Sequence, residues 1–445
     1  MCHKYIPFII FFIKMKLSGH VLFLVTLLFA YGRGEGYNQP QAYKSENGLL
    51  DVSLVVDMVT SLNGTRTAPG YNGRSAGPTL RVSPGDTLRV TLTNNLQTTE
   101  TDAELYQYIM DPNSDYVNAT IIANRLDNIG NPWNPTYGFW GLGYANLHFH
   151  GLEVNPSVED TKTYISNGES KTYEIKIAED QEPGTYWYHN HVQGTTVYAY
   201  LSSLMGAIIV EGTDRDVTDA PGIEGATEVI MILSEYLKHP DGNFPMPFFP
   251  IVYSFDWSSV TNGYLAEETV YGFGQGETVL FRAVSANVDP DLIFAIEGVT
   301  FNIVAIDGVT IPTPIQATEV VIPAGGRVDF VATFEDVGTY QMIRRAWGAH
   351  IAGDEETCQL MFGGPFNCIS HNIDMPLGTI EVVAASEEAR ADSATGTIEL
   401  PEYSDRLKCL EERSISAKKN VSFVADDEFP LFQIPYEVCS WVMTK

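Results

Sequence analysis

The chain has 445 residues, long enough for two or three cores of ordinary domain size. Its 44% hydrophobic and 18% charged content is that of a folded globular protein, not a disordered one. With 26 basic against 56 acidic side chains the net charge is −30, which excludes nucleic-acid backbones and anionic membranes as main partners.

Lys14 and Lys16 precede the apolar run VLFLVTLLFA (Val21 to Ala30), and small residues follow it. Residues 1–32 therefore read as a signal peptide cut after Gly32, with Met15 as an alternative start. A membrane anchor is the other reading, but neither this run nor YIPFIIFFI reaches the roughly 20 residues that span a bilayer. The expected protein is secreted, with no integral membrane domain after cleavage. Cys358, Cys368, Cys409 and Cys439 would then remain, an even number suited to disulfides, and Cys358 with Cys368 is the easiest loop to close. Asn63, Asn118 and Asn420 stand in glycosylation triplets, which makes a glycoprotein.

The mature chain reads as all-β. DVSLVVDMV, TLRVTLTN, TYEIKIA, GAIIVEG, TEVIMIL, ETVLFRAV, FNIVAIDG, TEVVIPAG and VDFVATF are short β-branched runs, punctuated by Gly, Pro, Asn and Asp. No helical period is sustained. The pattern predicts β-sandwiches, one over residues 40–212 and one over 213–383. Residues 384–445 begin as an Ala-, Ser- and acid-rich linker, and their last forty are too few to bury a core alone. Between Leu96 and His148 an insertion of about fifty residues reads as surface decoration, or else as a wall of whatever site lies nearby.

Four of the nine histidines stand in two H-x-H pairs, His148 with His150 and His189 with His191. Composition alone predicts about 0.2 such pairs. In a strand, residues i and i+2 share a face, so two adjacent strands would gather four imidazoles. Clustered nitrogens with no carboxylate in either motif suit copper or zinc. His239, His350 and His371 are isolated and read as loop or surface residues. No phosphate loop, serine elbow or catalytic cysteine signature is present, and the carboxylates lie in solvated runs such as EEARAD.

These motifs together resemble the multicopper oxidases. YNGRSAGPTLRVSPGDTLRVTLTNNL, HFHG and GTYWYHNH with LMGAIIVEG resemble the first domain of that family. FRAVSANVDPDLIFAIEGVTFNIVAIDGV with VVIPAGGRVDFVATF resembles its second. The resemblance implies two cupredoxin-like Greek-key β-sandwich domains in tandem, plus an incomplete start of a third. It favours copper over zinc, with His148 as a type 2 ligand and His150, His189 and His191 as type 3 ligands. The complete form would oxidise phenols or metal ions as one-electron donors and reduce dioxygen to water. This sequence departs from the family in its third domain. The motifs H-P-x-H-x-H and H-C-H-x-x-x-H are absent, and none of the four later cysteines has a histidine neighbour. The expectation is an oxidase with its third domain missing from this sequence and inactive as it stands. The alternatives are a non-catalytic two-domain copper-binding protein and a structural pair of sandwiches with vestigial sites.

Overall fold

The computed structural model of the chain describes residues 12–17, 20–25, 39–60, 67–96, 143–192, 196–238, 256–287, 292–346, 374–385 and 397–403. Every cysteine, the three glycosylation triplets, His239, His350, His371, nearly all of the long insertion and residues 404–445 lie outside them.

The first sandwich shows why alternation writes a strand. In Leu49–Thr60, Leu50, Val52, Leu54 and Val56 are buried while the residues between them are not. That strand joins Thr67–Tyr71, Thr87–Asn94 and Ser170–Lys176 in a four-stranded sheet, whose inward residues build one core. The facing five-stranded sheet runs Ala42–Lys44, Thr79–Val82, Met205–Val210, Gly184–His189 and His148–His150 in spatial order. Its two longest strands are buried at every position, and therefore read as uniform apolar runs.

The reason is a second packed layer. Tyr186, Tyr188, Ile208 and Val210 face the first core. On the opposite face Trp187, Met205, Ala207 and Ile209 meet Ile230, Ile232, Val284 and Ala286 of the second sandwich. Complete burial of a large apolar side chain contributes about 1.5–3 kcal/mol, so this seam binds the two sandwiches firmly.

The second sandwich packs a seven-stranded sheet on a five-stranded one around Phe281, Phe294, Phe301 and Phe330. Both sandwiches mix parallel and antiparallel pairs. Leu49–Thr60 runs parallel to Thr87–Asn94, and Thr227–Lys238 parallel to Thr278–Ser285. Segments Phe12–Leu17 and His20–Val25 form a separate antiparallel pair. Among the described residues no helix is long and apolar enough to cross a membrane.

A buried charge network crosses the seam. Arg282 is fully buried and contacts Asp329 at 2.7 Å, Glu228 at 2.5 Å and Asp216 at 3.7 Å. Thr185 of the first sandwich donates to Asp329 at 2.6 Å, and Arg81 bonds Glu228.

Candidate metal centre

The strands His148–His150 and Gly184–His189 pair antiparallel at the edge of the five-stranded sheet, with His148 opposite His189 and His150 opposite Trp187. Directly opposed residues share a face, and so do i and i+2. His148, His150 and His189 therefore lie on one face with Trp187, the face that continues into the seam. His191 follows the strand end and returns to them. Ring centroids separate His148 from His150, His189 and His191 by 5.4, 5.0 and 5.2 Å. One ligand nitrogen from each of His148, His150 and His189 lies within 4.8 Å of the others. Two ligands of a single ion about 2.1 Å away stand at most about 4.2 Å apart, so small ring movements would close the set. His191 stands at the margin of this trio.

The strand ends are fastened by a reciprocal pair of asparagines. The Asn146 amide donates to the Asn190 side chain at 2.8 Å, and the His191 amide donates to the Asn146 side chain at 2.7 Å. The Asn146 side-chain nitrogen in turn donates to the carbonyls of Thr161 and Thr163. Asn190 thus turns away from the histidines and sets the path of the chain between them.

Partners fix two ring tautomers, because a carboxylate and a carbonyl can only accept. Glu159 Oε1 lies 2.9 Å from His148 Nδ1 and also accepts from the Phe149 amide at 2.6 Å. Burial by itself would raise the Glu159 carboxyl. The hydrogen bonds from His148 and Phe149 outweigh it and hold the group below the usual carboxylate range. His148 therefore carries its proton on Nδ1 and keeps Nε2 free. His189 Nδ1 lies 3.0 Å from the Asn190 carbonyl oxygen, which leaves Nε2 as its open nitrogen. The sequence motifs showed no carboxylate beside the histidines. Glu159, eleven residues from His148, supplies one as an orienting partner.

Electrostatics favour neutral rings. His189 is 1% exposed, and desolvation holds it well below the ordinary histidine range. His150 is pushed down to about 4, first by desolvation and then by Arg327, His148 and His191. Neutral imidazole is the form a metal requires.

The second sandwich closes one side. A β-carbon on Gly325, which has φ +80°, would come within 3.0 Å of His150 Cε1. Arg327 donates to the Thr185 carbonyl at 3.2 Å and to the Asp307 carbonyl at 2.9 Å, and lies over the Tyr186 ring. Trp187 stacks on His150 at 4.8 Å and meets His189 at 4.4 Å. Tyr200, in the short helix Thr196–Leu201, places its hydroxyl 3.2 Å from His189 Nε2. Glu159 and Tyr200 carried no motif that could mark them beforehand, and the run VVIPAGGRVDFVATF that holds Gly325 and Arg327 marked a second sandwich and not a place beside the histidines.

The depressed histidines make stability depend on acid. An unfolded histidine titrates near 6.5, whereas folded His150 takes its proton only near 4. Between those values the unfolded chain binds more protons, so stability is full above about pH 6.5 and falls as the pH drops. At pH 5 the loss from His150 alone is on the order of 2 kcal/mol. Calorimetry of metal-free protein is expected to show a melting temperature that falls between pH 7 and pH 5. His150→Gln should flatten that slope, and an unchanged slope would contradict the assignment.

A sandwich pair with an imidazole cluster at a sheet edge defines a cupredoxin-type metalloprotein. Multicopper oxidase family models match residues 256–359, and 55–105 with 144–215. The chain belongs to the multicopper oxidase family, whose members bind copper. It is 26% identical over 199 residues to Laccase-5 of Trametes villosa, covering 43% of this chain and 36% of the laccase. It is 28% identical over 235 residues to the iron transport multicopper oxidase FET3 of Gibberella zeae, covering 48% of this chain and 32% of that protein. The chain thus spans about a third of the length of these curated relatives. In fold it resembles a laccase-like multi-copper oxidase of Ochrobactrum sp., with TM-score 0.57 and 16% identity over 82% of this chain and 67% of the other. A multicopper oxidase of Aquifex aeolicus gives TM-score 0.56 and 16% identity over the same shares.

Proposed function

We propose that this chain binds copper and that its first sandwich holds half of a trinuclear copper cluster. The observation that supports this reading is the convergence of His148, His150 and His189, each with a ligand nitrogen within 4.8 Å of the others. On this reading His148 takes the type 2 position, and His150, His189 and His191 take type 3 positions. Copper held there would supply one-electron redox chemistry. The chain's own residues prepare the place for it. Burial keeps His150 and His189 neutral, Glu159 orients His148, and Trp187 packs against the rings of His150 and His189.

The division into a signal at 1–32, domains at 40–212 and 213–383, and a third-domain start within 384–445 belongs to the same proposal, as does secretion. In a complete oxidase the partners would be dioxygen and a small one-electron donor, a phenol or a metal ion. A blue type 1 site needs a cysteine thiolate held among histidines, and none of Cys358, Cys368, Cys409 and Cys439 has a histidine neighbour. The signal-free chain is therefore expected to retain copper after desalting, measured by elemental analysis, yet to be colourless and inactive. Absence of retained copper would count against the site. An intense blue absorption band, or oxygen uptake with a phenolic donor, would overturn the predicted inactivity.

Orientation of His148 has its own test. Glu159→Gln removes the carboxylate that fixes the ring, and losses of this kind weaken metal binding roughly 10- to 100-fold. Competition with a chelator should show that weakening, with the melting temperature of the metal-free protein little changed. Equal affinity would mean that Glu159 plays no part in the centre.

A further inference from the structure

His189 Nδ1 is committed to the Asn190 carbonyl at 3.0 Å, so the lone pair of this ring lies on Nε2. The Tyr200 hydroxyl stands 3.2 Å from that nitrogen, with the two rings edge to face at 4.9 Å. A bare nitrogen can only accept, so the phenol O–H is the donor. His150 Nδ1 approaches the same atom, but at 3.4 Å.

We propose that Tyr200 caps the metal-binding nitrogen of His189 in the metal-free protein and is displaced when copper enters. The proposal rests on the reading of His189 as a copper ligand. His189 is 1% exposed, so water has little access to satisfy its lone pair, and an unsatisfied buried acceptor is costly. The phenol removes that cost while the site is empty. A metal must lie about 2 Å from the nitrogen along the same lone pair. That position is too close to the oxygen for both to remain, so the hydroxyl has to swing aside. Trp187 Nε1, buried and without a hydrogen-bond partner among the described residues, belongs to a ring 5.7 Å from that of Tyr200 and is a donor within its neighbourhood.

A group that stabilises only the metal-free state opposes metal binding. Tyr200→Phe keeps the ring and deletes the cap, leaving the His189 lone pair only the longer 3.4 Å approach of His150 Nδ1 until copper arrives. The variant should therefore melt at a lower temperature when metal-free, yet bind copper more tightly, by roughly three- to tenfold. A residue that merely packs would lower stability without raising affinity, so the opposite signs carry the test.

The experiment is a Cu(I) titration against a competing chelator for the full chain, Tyr200→Phe and His189→Ala. Tighter binding by Tyr200→Phe, with weaker binding by His189→Ala, supports the cap. Equal or weaker binding by Tyr200→Phe, with His189→Ala still weakened, overturns the cap and leaves the ligand reading standing. Unchanged affinity in His189→Ala sinks the ligand reading, and the cap with it. A visible phenolate-to-Cu(II) band in the parent that is lost in Tyr200→Phe also overturns displacement, because the oxygen would then have stayed as a ligand. If Tyr200→Phe does not fold, ¹⁵N-histidine spectra of the parent decide. A coupling between His189 Nε2 and a hydroxyl proton should be present without metal and vanish on adding zinc, and its absence or persistence would overturn the cap.

Discussion

Replacing His148 and His189 together with alanine is expected to reduce bound copper to background. These two residues are direct partners in the antiparallel register, and their rings are 5.0 Å apart. The double variant leaves His150 beside Trp187 and His191 at the margin, with no opposed pair to share an ion. His239→Ala and His371→Ala should retain the copper content of the parent, because both residues lie apart from the two H-x-H motifs. The measurement is copper per chain after desalting, with circular dichroism to confirm that each variant is folded. Residues 1–32 should be absent from every sample, since His20 could bind metal adventitiously. Equal copper in the double variant and the parent would defeat the assignment.

Arg282→Met is expected to cost about 3–5 kcal/mol, as breaking a buried ion pair by removing one partner usually does. The guanidinium is fully buried, and it neutralises Asp329, Glu228 and Asp216 together. Methionine fills similar space but leaves Asp329 and Asp216 without that counter-charge. Arg81, which also binds Glu228, keeps about a fifth of its side-chain surface in solvent, so Arg81→Met should cost about 1 kcal/mol. Urea unfolding of the two variants would show the contrast. A loss below about 1 kcal/mol for Arg282→Met would mean that the network adds little.

The strands that were legible in the sequence are those whose two faces differ, such as Thr87–Asn94, or whose faces are both apolar, such as Met205–Val210. The strand Val309–Ala317 was not legible. It lies at the edge of its sheet, is largely half-exposed, and carries Pro312 and Pro314, which an edge tolerates and a central strand does not. The same divide runs through the candidate metal centre. The H-x-H pairs announce themselves, because a strand converts i, i+2 spacing into a shared face. Glu159 lies outside both H-x-H motifs, and its hydrogen bond to His148 has no periodicity to betray it. Gly325 and Arg327 lie more than 170 residues beyond His150, and only the docking of one sandwich on the other brings them to it.

Trp187 belongs at once to the seam between the sandwiches and to the wall of the histidine cluster. The centre is therefore not portable. A gene fragment for the first sandwich alone would keep all four histidines, but it would turn Trp187, Met205 and Ile209 out into water and strip Gly325 from His150. A protein engineer borrowing this histidine cluster would have to carry two sandwiches to obtain four side chains of one. A substitution meant to retune the joint between them would shift the histidines as well.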